Sequence, residues 1–93
     1  MDKIVVLDPD DNVATSLGEL PAGHVVTLPG DAGSLTLRDA IAFGHKFALR
    51  AIDTGVDIIK YGAVIGRAST AIEAGDWVHT HNVESVRGRG DKV

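Results

Sequence analysis

The 93 residues contain no cysteine. A disulfide, a thiolate nucleophile and a cysteine–zinc site are therefore all excluded, and nothing in the chain calls for an oxidising compartment. Aromatic residues are scarce: two Phe, one Trp and one Tyr. Long apolar runs are also missing. The N-terminal Ile4-Val5-Val6-Leu7 is only four residues long, too short for a signal-peptide core and far below the ~20 of a membrane span. The expected location is cytoplasmic, with no membrane partner. Positive charge is thin as well. Nine basic residues against thirteen acidic ones leave a net charge of −4, with no basic stripe for phosphates, which argues against a nucleic-acid partner.

At this length the chain makes one domain. So small a chain buries only about 60–65% of its unfolded surface. It can build a modest core, but not a deep water-excluding active site as well. The expected boundary is a domain over 1–86, followed by a flexible tail over 87–93. Arg87, Arg89 and Lys92 fall in that tail, as does the chance tripeptide Arg89-Gly90-Asp91.

What the chain does have is glycine, eleven residues of it. Short apolar runs bounded by Gly, Pro or Asp predict strands over Lys3–Leu7, Val13–Leu17, His24–Leu28, Leu35–Leu37, Phe47–Ile52, Ile58–Tyr61, Val64–Ala68 and Trp77–Val83. Leu37–Phe43 is the best helix candidate, long enough for one turn or a loop. A local pattern recurs in Leu20-Pro21-Ala22-Gly23, Ile52-Asp53-Thr54-Gly55 and Ile72-Glu73-Ala74-Gly75. Each is an apolar residue, two others, then a glycine that can take positive φ and turn the chain between strands. The fold class expected is mostly β, with repeated corners and at most a short helix. Asp8-Pro9-Asp10-Asp11-Asn12 lacks calcium-loop spacing and predicts a turn between two strands. Gly62-Ala63-Val64-Ile65-Gly66 lacks the Gly-Lys-Ser/Thr of a phosphate loop.

The residues that carry chemistry fall between positions 44 and 83. On a strand, His79 and His81 point to one face. There they can share a divalent metal such as iron or zinc, share one anionic substrate, or line the rim of a core with Trp77 and Val83. Asn82 is a turn residue or a substrate contact. His45 and Lys46 follow Gly44, which exposes both: the imidazole as acid, base or ligand, the ammonium as a point charge for a carboxylate. Lys60 and Arg67 are further candidate substrate contacts, and Tyr61 is a half-buried aromatic with a wet hydroxyl.

Three ordered motifs then resemble a known family. They are Gly44-His45-Lys46-Phe47-Ala48-Leu49, the run from Gly55 to Ile65-Gly66-Arg67-Ala68, and the run from Gly75 to Val78-His79-Thr80-His81-Asn82-Val83. Over roughly Asp39 to Val86 they resemble the N-terminal segment of altronate and galactarate dehydratases, and the separate small subunits related to it. The small subunit of sulfolactate sulfo-lyase looks similar too. The resemblance implies a SAF-like β-clip domain. It also implies lyase chemistry on hydroxy acids, with a large metal-dependent catalytic partner that removes water or, in the sulfo-lyase, sulfite. On that footing His79 and His81 are expected as metal or substrate contacts and His45 as catalytic acid or base. Lys46, Lys60, Arg67 and Asn82 are the expected substrate contacts. Alternatives are a sugar-acid-binding or scaffold module without catalysis, and assembly with further copies of the chain.

Overall fold

The structure is a computed structural model that describes residues 4–30 and 33–85. Among these residues there are nine strands and no helix. Strands β1 (Ile4–Val5), β2 (Val13–Ser16), β5 (Lys46–Ala48) and β8 (Trp77–Val78) form an antiparallel sheet in the order β1-β2-β5-β8. Strands β3 (Val25–Thr27) and β4 (Ser34–Thr36) form a two-stranded ladder. Strands β6 (Asp57–Lys60), β7 (Ala63–Ala68) and β9 (Val83–Glu84) make the third sheet. The mostly-β expectation holds. The expected flexible tail over 87–93 lies outside the described residues.

The recurring corner is the building unit, and the chain has four copies of it rather than three. In each, the residue after the glycine donates its N–H back three positions: His24 to Pro21, His45 to Ala42, Val56 to Asp53 and Asp76 to Glu73, at 3.0–3.2 Å. The glycines between have φ of 81–89°, which is a type II turn with its obligatory positive φ at the third residue. The four glycine N–H groups each reach a carbonyl on another segment at 2.8 Å: Leu37, Ser16, Ala68 and Ala48. The corners then join in pairs through their first residues. Leu20 and Ile41 exchange both backbone hydrogen bonds, and so do Ile52 and Ile72, at 2.8–2.9 Å.

This pairing explains why Leu37–Phe43 is not helical. Several of its backbone groups are engaged elsewhere. Leu37 N–H donates to His24, Arg38 N–H to Gly75 and Ile41 N–H to Leu20, which leaves no i→i−4 ladder. Ile41-Ala42-Phe43-Gly44 is the additional corner, second in chain order, and its apolar-x-x-Gly spacing was there to be read in the sequence.

Two apolar clusters fill the interior. One joins Val13, Ala48, Ile52, Ile58, Ala68, Ile72 and Val78. The other gathers Ala14, Val26, Leu37, Ile41 and Phe47, with Trp77 packed at its edge. Buried polar groups tie the sheets together. Asn12 is 4% exposed. Its side chain accepts from Ile59 N–H at 2.7 Å and donates to Asp57 O at 2.8 Å, while its own N–H donates to Ile59 O. The outer edge of β6 is thus paired by one asparagine. Asp11 beside it is 2% exposed and accepts from the N–H groups of Gly62 (2.8 Å), Leu7 and Asp8 (3.3 Å each). Burial works against its charge, but the backbone donors of Gly62, Tyr61, Asp8 and Leu7 outweigh it and hold the carboxyl below its ordinary value.

Two stability outcomes follow from this architecture. A Cβ on Gly75 would run into the Thr36 carbonyl oxygen at a φ of +89°. Gly75→Ala therefore costs about 2 kcal/mol or more in chemical denaturation, since neither strain nor backbone clash can relax locally. The depressed carboxyl of Asp11 stabilises the fold fully above the ordinary carboxylate pKa, and that stabilisation fades as pH falls through its lower folded value. Asp11→Asn should lose about 1–3 kcal/mol at neutral pH, and its deficit against wild type should shrink in acid. A constant deficit across the acid range would show that the charge is not the source.

Candidate functional site

The site forms where the second corner meets the end of β8. The register sets Lys46 opposite Val78 and Phe47 opposite Trp77, and one step further along it faces His45 with His79. The backbone of His45 is locked on both sides, donating to Ala42 O and accepting from Ser16 N–H. That of Trp77 is locked by side chains: its N–H donates to Asp39 Oδ2 at 3.0 Å, and its carbonyl accepts from Asn82 Nδ2 at 2.9 Å.

The predicted strand Trp77–Val83 is broken. β8 ends at Val78, residues 79–82 form a turn closed by Asn82 N–H to His79 O, and β9 resumes at Val83. The physical reason is Asn82. Its Oδ1 accepts from His79 N–H at 2.9 Å while its Nδ2 holds Trp77 O, an arrangement that competes with extended backbone. Asn82 is 4% exposed and both polar ends of its side chain bind backbone, so its part in this structure is to shape the turn. His79 and His81 consequently do not share a strand face. Both pack on Trp77, with ring centroids 5.0 and 4.9 Å away.

The result is a cluster of four rings. His45 and His79 stack at 5.0 Å with planes 11° apart. Trp77 Nε1–H donates to His45 Nδ1 at 3.0 Å. Their planes lie within 17° of each other and their centroids are 5.7 Å apart. The sequence pointed to all three histidines but not to the tryptophan that joins them. A lone Trp between an acidic turn and a His-x-His was the available signal.

Lys46 lies beside this cluster. With His79, Ile65, Val83 and Glu84 it lines a cleft of about 290 Å³. Burial, and secondarily the like charge of Lys60, push its amine below the ordinary lysine value. Lys60 sits with its ammonium 4.9 Å from the Tyr61 ring centroid. Tyr61 itself is exposed, in the two-residue turn between β6 and β7 with φ of 54°, and its hydroxyl reaches Thr15 Oγ1 at 3.4 Å. Arg67 lies across from Glu84 on β9, with its Nε 3.6 Å from Asp57 Oδ1. A larger cleft of about 500 Å³ between Leu7, Asp8, Leu28, Pro29 and Arg50 lies elsewhere. The Arg50 guanidinium there is committed to the carbonyls of Asp10 and Asp11.

The metal expectation meets a geometric obstacle. Among the described residues no three His, Asp or Glu side chains are placed to hold an ion. Nδ1 of His45 is taken by Trp77, Nδ1 of His79 lies 3.2 Å from Thr80 Oγ1, and the parallel planes of the two rings do not aim their lone pairs at a common point. The described residues by themselves do not gather a ligand set for an ion. What the cluster does offer is imidazole edges and two ammonium groups on a chain of net charge −4, an arrangement suited to a carboxylate. No helix among the described residues is long and apolar enough to cross a membrane.

A small all-β domain of paired glycine corners, with histidines gathered at one sheet edge, is the class the geometry defines. The family described as altronate/galactarate dehydratase SAF domain matches residues 2–86, and the chain belongs to that family. It is 47% identical over 75 residues to altronate dehydratase of Escherichia coli K12, a match covering 81% of this chain and 15% of that protein. To altronate dehydratase of Bacillus subtilis 168 it is 34% identical over 85 residues, 91% of this chain and 17% of that one. It is also similar to the (2R)-sulfolactate sulfo-lyase subunit alpha of Chromohalobacter salexigens, 38% identical over 88 residues, covering 89% and 94% of the two chains. The chain thus spans under a fifth of the altronate dehydratases it matches, and nearly all of the sulfo-lyase subunit.

The Lys46–Lys60 pair gives a direct check on the site's electrostatics. Removing one cation relieves the repulsion on the other. Lys60→Gln should move the titration of Lys46 upward toward the ordinary lysine range, read by NMR of its side-chain methylene next to nitrogen. The sign for stability is that of a depressed cation: charged Lys46 disfavours the fold at neutral pH, and the penalty lifts as pH rises past its folded value. An unmoved titration would separate the two lysines.

Proposed function

We propose that this domain is the small substrate-contacting unit of a sugar-acid dehydratase of the altronate/galactarate type, working with a larger catalytic part. The observation that carries the reading is the convergence of His45, His79, His81 and Lys46 at one sheet edge, in a family named for dehydration of such acids. The reaction is β-elimination. A base removes the proton next to a carboxylate, and the β-hydroxyl leaves with a proton supplied to it. The carbanion-like intermediate needs cationic or hydrogen-bonding stabilisation at the carboxylate.

In this reading Lys46, with Lys60 behind it, anchors the carboxylate, and the edges of His45, His79 and His81 meet the hydroxyl groups. Arg67 reaches the far end of the acid, while Asn82 contributes by holding Trp77 and His79 in place. A divalent metal, expected from the resemblance, would be held with the larger part. A domain of this size cannot enclose a sugar acid unaided, which supports a shared site. The second reading is a sulfo-lyase subunit that helps expel sulfite. The near-complete coverage of the sulfo-lyase subunit alpha favours it.

The test is turnover of altronate, galactarate and sulfolactate by the purified chain, alone and with a large dehydratase-type partner. The chain alone should be inactive and the assembly active on a sugar acid. His79→Gln in the assembly should lower kcat/KM tenfold or more, about 1.4 kcal/mol of transition-state stabilisation, with a near-normal Tm. Robust turnover by the chain alone overturns the shared site. Sulfite release without dehydration selects the second reading. An early-melting but fully active variant removes the ring cluster from the chemistry.

A further inference from the structure

We propose that Trp77 is a positioning residue that fixes His45 as a hydrogen-bond donor and bars it from acting as a base. The inference deepens, and rests on, the carboxylate-site reading above. An indole N–H can only donate. Its 3.0 Å contact with Nδ1 of His45 therefore requires a lone pair on that nitrogen, and the proton of the neutral ring must sit on Nε2. The two ring planes lie within 17° of each other, and the indole proton is directed at Nδ1.

Every element around the pair resists its loosening. Trp77 is pinned at its N–H by Asp39 and at its carbonyl by Asn82. His45 is pinned at both backbone groups by the second corner and β2. His79 stacks 5.0 Å from both rings, covering the bonded pair.

The chemical consequence is specific. With Nδ1 occupied and Nε2 protonated, the neutral ring has no lone pair free to take the proton beside the substrate carboxylate. That proton leaves to another base. His45 instead presents Nε2–H to an oxygen of the hydroxy acid, and no proton changes hands at Nδ1. This is the logic of a neutral imidazole used as a polarising donor, with the tautomer set by what the other nitrogen binds.

The experiment uses the full chain, labelled with nitrogen-15, at a pH where the ring is neutral, with His45→Gln assigning the signals. The expected result is a His45 ring protonated at Nε2 alone and a scalar coupling across the hydrogen bond between the indole and Nδ1 nitrogens. Trp77→Phe keeps an aromatic ring but no donor, and should convert His45 to a mixture of tautomers. In an active assembly the same variant should lower kcat about tenfold and leave KM within about twofold. Absence of the coupling, or a proton on Nδ1 in the wild type, overturns the proposal even if the variant fails to fold. Full activity of a folded Trp77→Phe assembly overturns its catalytic part. If no assembly turns over a hydroxy acid, the dehydratase reading fails, while the coupling in the isolated chain still decides the tautomer.

Discussion

The architecture depends on a buried asparagine that behaves as a piece of strand. Asn12 closes β2 with its backbone and pairs the outer edge of β6 with its side chain. Without it the β6–β7 hairpin would present unpaired N–H and C=O groups to an apolar interior, where each unmet group costs about 1–3 kcal/mol. An isolated two-stranded hairpin is at best marginally stable in water. Asn12, with the carboxylate of Asp11 gripping the turn at Gly62, joins the β6–β7 hairpin to the four-stranded sheet.

The paired corners do the rest of the work of closure. Each is a tight turn whose glycine N–H reaches across to a different segment, so every change of direction is also a cross-link. Chain reversal and sheet joining are achieved by the same four residues. This lets a chain with only four aromatic residues and two modest apolar clusters hold a defined shape. It also positions the candidate site. The residue after each glycine is held at its N–H and its carbonyl, and in the second corner that residue is His45.

The site is an outgrowth of this scaffold. His45 comes from a corner, Trp77 from an edge strand, and His79 and His81 from a turn that Asn82 closes. Structural polar residues hold the ring-bearing backbone, and Lys46 and Lys60 supply positive charge nearby. One edge of a domain open to a partner is a reasonable place for chemistry that needs a second surface. The family's occurrence both within longer proteins and as a separate subunit accords with that.

Sequence alone determined the class of fold, because glycine at fixed spacing and short apolar runs are local signals with local causes. It also singled out His45, Lys46, His79 and His81, since such groups on short apolar runs stand out from a packing pattern. Other features were decided only in three dimensions. Leu37–Phe43 is a loop and corner because strands distant in sequence claim its backbone groups. The strand from Trp77 breaks because the Asn82 side chain outcompetes extended pairing. The two histidines of His79-Thr80-His81 meet through Trp77 rather than side by side, and His45 joins them from 32 residues away in the chain. Those arrangements arise from non-local hydrogen bonds, and residue spacing along the chain carries no record of which distant partner a buried N–H will find.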